Sequence, residues 1–111
     1  MYMFKEYERK VLRILTAGAL SPEQLEVLLS EGEFVAYDYT GSGYFLSVRH
    51  DSLPTERVVC NEPLVLGSAD GVTCGFVVFI ESGELTIECH SWDDANIPEG
   101  FRDSDVQIAA T

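Results

Sequence analysis

Two stretches of the chain set groups of nucleophilic and acid–base character side by side. Cys89-His90 places a thiol next to an imidazole, and His50-Asp51 with Cys60 supplies the residue types of a Cys/His/Asp triad. In such a pair the base takes the proton of the attacking sulfur. The spacing argues against that use of Cys89 and His90. They end an alternating run from Leu85 to His90, and neighbours on a strand point to opposite faces. Cys89 then joins Leu85 and Ile87 as a core thiol. His90 joins Glu88 on the polar face, where the carboxylate favours the charged imidazole. A triad is defined by geometry, and no nucleophile elbow of the GxSxG kind accompanies His50, Asp51 and Cys60. The three cysteines, Cys60, Cys74 and Cys89, form no CxxC, and with His50 and His90 they match no zinc-finger spacing. The glycines spell neither GxGxxG nor GxxxxGK[ST], and no EF-hand spacing of acids occurs. The expectation is a non-enzymatic chain with no metal and no cofactor. A small hydrolase using His50, His90 or Cys60 ranks last among the alternatives.

Binding chemistry is better represented. Trp92-Asp93-Asp94 puts a large aromatic anchor beside two carboxylates in a loop after the last long strand, and Tyr and Trp are enriched at interfaces. Glu88, His90, Trp92, Asp93, Asp94 and Asp103 form the candidate partner-binding set. The charge agrees with it. The chain has 111 residues, 7 Lys+Arg and 19 Asp+Glu, for a net charge of −12. Residues 1–20 carry four basic and two acidic groups, a net of +2, and residues 21–111 carry three basic and seventeen acidic groups, a net of −14. Phosphate contacts need clustered Lys and Arg, so this balance argues against nucleic acid and anionic membrane and favours a basic protein partner. Lys5, Arg9 and Arg13, each four residues apart, form a basic stripe on the first helix. The second helix, where a recognition helix would carry its cations, has none. The same asymmetry suits self-association, with the basic stripe docked on a neighbour's acidic sheet or an edge strand paired with its copy.

The elements that must position these residues follow from hydrophobic periodicity. A hydrophobic content of 46% and 11% aromatics predict a folded chain, and the length fits one domain over residues 1–111. The N-terminus lacks the apolar core of a signal peptide, and no apolar run reaches the roughly 18 residues of a membrane span. A cytoplasmic chain with reduced thiols is expected. Over residues 2–18, Phe4, Tyr7, Val11, Ile14 and Leu15 recur at helical spacing, and Gly18 is a plausible stop. Ser21-Pro22-Glu23-Gln24 reads as an N-cap, a first-turn proline and a capping box, with Gly32 at a left-handed C-terminal position. The short link between the helices predicts a helical hairpin.

From Phe34 the period becomes two. Strands are expected at 34–40, 44–50, 57–61, 64–68, 74–81 and 84–91, with a final one at 106–109. Tyr37 and Tyr39 are expected to share a face with Val35, and residues 93–103 to form a polar connector. The fold class is α+β: an N-terminal helical hairpin (about 2–31) packed on a twisted antiparallel sheet of about six strands (about 34–110). Its core should include Tyr7, Val11, Ile14, Leu15, Leu25, Leu28, Leu46, Val48, Phe76, Val78, Ile80, Leu85 and Ile87.

Three features together resemble a group of small bacterial proteins that have no assigned activity. They are the helical run from Tyr7 to Gly18 followed by Leu25–Leu29, the strand-turn from Tyr39 to Phe45, and the hairpin from Gly75 to Leu85 followed by an acidic strand and Pro98. The resemblance spans most of the chain and supplies no catalytic residue. In size and charge the chain is also similar to immunity proteins, which neutralise toxin nucleases. That likeness implies an inhibitor of a basic bacterial toxin.

Overall fold

The computed structural model describes residues 4–93 and 95–111. Among them, helices α1 (Glu6–Leu15) and α2 (Pro22–Glu31) precede seven strands. These are β1 (Glu33–Tyr39), β2 (Gly43–Arg49), β3 (Val58–Cys60), β4 (Val65–Ala69), β5 (Val72–Glu81), β6 (Glu84–Ser91) and β7 (Gln107–Ala110). A short 3-10 helix, Glu99–Asp103, lies ahead of β7. The fold is α+β, with every strand pairing antiparallel.

α2 begins as its residues dictate. Gln24 N–H donates to Ser21 Oγ at 3.1 Å, and Ser21 N–H donates to the Gln24 side chain at 2.8 Å. α1 is shorter than its periodicity predicts. Lys5 N–H donates to the Glu8 carboxylate at 2.7 Å, which caps the helix just after Lys5. At the far end the Thr16 hydroxyl donates to Leu12 O, and the Ala19 and Leu20 N–H groups both turn back to Thr16 O. Gly32 is extended (φ −60, ψ 145) rather than left-handed, because β1 starts at the next residue and no reversal is needed there. The expected basic stripe is met by the chain's own acids. Lys5 Nζ lies 2.7 Å from Asp103, and Arg13 lies 3.4 Å from Glu26.

The strand order is β1-β2-β6-β5-β4-β7, with β3 also paired to β5. The ten residues of β5 serve β6 along one side, and along the other they serve β4 with Val72–Gly75 and β3 with Val78–Ile80. That interior position explains why β5 is apolar on both faces. The β4–β5 and β5–β6 hairpins turn through Asp70-Gly71 and Ser82-Gly83, all four at positive φ, the turn form whose twist matches the strands. β1 carries an irregularity between Phe34 and Ala36. It takes Val35 out of the alternation that Tyr37 and Tyr39 keep.

One sheet face supports the helices. Leu46, Val48, Phe76, Val78, Ile80, Leu85 and Ile87 from the sheet, with Tyr7, Val11, Leu15, Leu25 and Leu28 from the helices, are buried there as expected, and Ile14 is half-buried. Leu12, Tyr44, Val65, Cys74 and Cys89 add to this core. The stretch after Trp92 is less polar in its role than in its composition, since Ile97 and Phe101 are both buried. Among the described residues no helix is long and apolar enough to cross a membrane.

Candidate functional site

The register divides the sheet's side chains between two faces. Phe45, Ser47 and Arg49 of β2 share the face away from the core with Thr86, Glu88 and His90 of β6 and with Val77, Phe79 and Glu81 of β5. Every non-glycine residue of this set is half-buried or exposed. This open face is ordered by charge. At one end Arg49 pairs with Glu84 at 3.2 Å, and Arg57 lies 4.0 Å from Glu81 and 5.9 Å from the centre of the Phe79 ring. In the middle, Glu88 sits in register between Phe45 and Val77, and no ion pair engages it among the described residues.

The other end gathers three of the sequence-predicted residues, with Glu88 next to them along β6. His90 lies opposite Gly75, and the ladder continues past β6 as Trp92 N–H donates to Thr73 O at 3.2 Å. Both rings lean over Gly75. A methyl group there would stand 2.7 Å from His90 Nε2 and 3.2 Å from Trp92 Cε3, so the bare backbone forms the floor on which they rest. Trp92 stays 49% exposed. His90 shares the open face with Glu88 as expected, and its Nδ1 is buried without a hydrogen-bond partner. Asp93 is exposed and accepts the Ala95 N–H at 3.4 Å. Asp94 lies outside the described residues. Asp103 is elsewhere: it ends the 3-10 helix on the helical side of the sheet, where Lys5 holds its carboxyl below the ordinary carboxylate range. Glu88, His90, Trp92 and Asp93 therefore form one patch, and Asp103 belongs to another.

The most ordered polar cluster in the molecule involves none of them. Glu8 is the sole buried carboxylate among the described residues, at 0% exposure. Its Oε1 accepts Lys5 N–H at 2.7 Å and Arg102 Nη2 at 3.0 Å. Its Oε2 accepts Arg102 Nε at 2.9 Å and the Tyr44 hydroxyl. Tyr44 spends its proton on Glu8, so Tyr7 is the donor in their 2.9 Å contact, sharing its proton with Arg102 O at 3.2 Å. The Arg102 guanidinium also lies over the Tyr37 ring, 5.2 Å from its centre. Burial first, then the Glu8 charge, push the Tyr7 and Tyr44 pKa values far up. Burial alone would lower Arg102, but its bonds to Glu8 and the Glu8 charge raise it. Both carboxylate oxygens are saturated and sealed from solvent, so the cluster holds α1, β2 and the 3-10 helix together and offers nothing to a substrate.

The sequence carried a signal for this cluster. Glu8 falls on the face of α1 occupied by Phe4, Tyr7, Val11, Leu12 and Leu15, an apolar stripe with one acid in it. Arg102 is the only Lys or Arg after Arg57. A lone acid on a buried face and a lone cation in an acidic segment are natural partners.

The remaining thiol and imidazole groups are occupied locally. Ser52 N–H donates to His50 Nδ1 at 3.0 Å, and the Ser52 hydroxyl lies 2.9 Å from the same atom, which folds the loop after β2. Cys60, Cys74 and Cys89 are free and buried. Burial pushes the Cys60 thiol up, and a hydrogen bond with Cys74 together with burial does the same for Cys89, which disfavours the nucleophilic thiolate. Among the described residues no group of three or more His, Cys, Asp and Glu side chains is placed to hold a metal ion. Comparison with protein-family models, curated proteins and solved structures finds no match to this chain.

Proposed function

We propose that the chain is a non-enzymatic protein-binding module whose open sheet face engages a basic protein, in the manner of an immunity-like inhibitor of a basic bacterial toxin. The observation that carries this reading is the patch around Gly75. Trp92 stands half-exposed beside His90, with Glu88 and Asp93 close by and neither carboxylate in an ion pair among the described residues. An exposed aromatic bordered by uncompensated acids suits a partner that brings apolar surface ringed by Lys or Arg. Three free thiols favour a reducing compartment such as the cytoplasm.

Self-association through the basic stripe of α1 is less favoured. Lys5 and Arg13, which would dock on a neighbour's acidic sheet, already pair with Asp103 and Glu26 of their own chain. The test is affinity capture from the native host with carboxyl-directed cross-linking. A basic protein cross-linked at Glu88 or Asp93, and lost with Glu88→Gln/Trp92→Ala, is the expected result. A partner retained in full by that variant would remove the open face from the account.

A further inference from the structure

Among the described residues β1 forms one edge of the sheet, with β2 as its sole strand neighbour. The hairpin bonding fixes which of its backbone groups face outward. Thr40 N–H donates to Gly43 O at 2.9 Å, and opposite residues in an antiparallel pair alternate between bonded and unbonded. Asp38 and Ala36, opposite Phe45 and Ser47, therefore direct their N–H and C=O groups to β2. Tyr37 and Tyr39, opposite Leu46 and Tyr44, direct theirs away from it. Protein edges of this kind are commonly blunted by Lys, Pro or a bulge. β1 has no Lys and no Pro, and its irregularity at Val35 leaves Ala36–Tyr39 regular.

The side chains of this edge are sorted by face. Glu33 and Asp38 lie in register with Arg49 and Phe45 on the open face, whereas Phe34, Tyr37 and Tyr39 lie in register with Val48, Leu46 and Tyr44 on the helical face. Phe34, Val35 and Tyr39 are three of the six large apolar side chains exposed among the described residues, at 54%, 39% and 37%. The surrounding charge has one sign. From Ile14 to Val48 the chain contains no Lys or Arg and five acids, Glu23, Glu26, Glu31, Glu33 and Asp38. Of these, Glu26 alone is ion-paired among the described residues. A second copy would bring the same acids and a net charge of −12 to the contact, so the complementary occupant is a different, basic one.

We infer that β1 is a strand-addition site for an extended segment of another protein in which basic residues alternate with apolar ones. The segment's backbone bonds Tyr37 and Tyr39, its basic side chains lie beside Glu33 and Asp38, and its apolar side chains cover Phe34 and Tyr39. Asp38 and Glu88 share a register row through Phe45, but the outward backbone of β1 and the Trp92 ring lie two strands or more apart, so the two readings can fail independently.

The probe is a capped seven-residue peptide of alternating Lys and Val, with a copy N-methylated on the amides that would face β1. Amide exchange read by NMR should show Tyr37 and Tyr39 slowed at least tenfold by the first peptide and unaffected by the second, which has equal charge but cannot complete the ladder. Glu33→Lys/Asp38→Lys, both exposed positions, should weaken the peptide at least tenfold while protection of the β5–β6 amides shows the sheet intact. Glu88→Gln/Trp92→Ala should leave peptide binding unchanged. Equal slowing by both peptides, a footprint centred on Glu88 and Trp92, or a β1-mediated dimer that forms without peptide as salt rises would each overturn the assignment.

Discussion

Arg102 and Glu8, 94 positions apart in the chain, meet as a two-pronged pair, with Nε 2.9 Å from Oε2 and Nη2 3.0 Å from Oε1. The pair fastens the segment between β6 and β7 to the first helix. Arg102→Met would remove the partner and leave the carboxylate buried, at a cost of about 3–5 kcal/mol. Glu8→Gln/Arg102→Met should cost less than Arg102→Met alone, because the residual buried group is then neutral. Urea unfolding with unchanged m values measures both. An Arg102→Met protein as stable as the parent would show that the pair does not fasten the segment.

Alkaline pH should unfold the protein through Tyr7 and Tyr44. Their folded pKa values are raised above the ordinary 10.0. Above that pH the unfolded chain loses these protons and the folded chain keeps them, so the folded state binds more protons and stability falls as pH rises. Below pH 10 the contribution is fully present. Two such groups give a slope of up to about 2.7 kcal/mol per pH unit. Absorbance near 295 nm should show two tyrosines ionising together with loss of the far-ultraviolet circular dichroism signal. Smooth ionisation of every tyrosine with the fold intact would contradict this.

Gly75→Ala tests the floor of the Trp92 patch. The added methyl would press on ring atoms of two side chains, His90 Nε2 and Trp92 Cε3, rather than on backbone. The rings should shift and the fold survive, with a stability change within about 1 kcal/mol, since strand geometry favours alanine over glycine by a compensating amount. Trp92 is the only tryptophan, so its fluorescence emission reports the displacement directly. Unchanged emission would mean the indole does not rest on Gly75.

Much of the fold was legible because period and punctuation agree. The capping box at Ser21, the Ser82-Gly83 turn and the alternation from Leu85 to Cys89 each specify local structure without help from distant residues. The patch was partly legible for the same reason: Glu88 and His90 share a strand face by parity, and Trp92 extends it. Parity could not place Asp103, because the 3-10 helix that carries it follows a buried Ile97 and Phe101 back to the helical side. Nor could it pair Glu8 with Arg102, since that bond depends on how two ends of the chain meet. The bulge at Val35 was hidden as well, because an extra residue in one strand is defined only against its neighbour.

The most direct test of the proposed function is the affinity of the captured basic protein for the parent chain and for Glu88→Gln/Trp92→Ala, by calorimetry at low and high salt. A central tryptophan anchor is worth about 2 kcal/mol or more, so binding should weaken by about thirtyfold or more, with a shallower salt dependence as one carboxylate is lost. The variant's urea midpoint should stay near that of the parent, because both substituted side chains lie on the open face. Equal affinity of the two proteins at both salt concentrations would contradict recognition through this face.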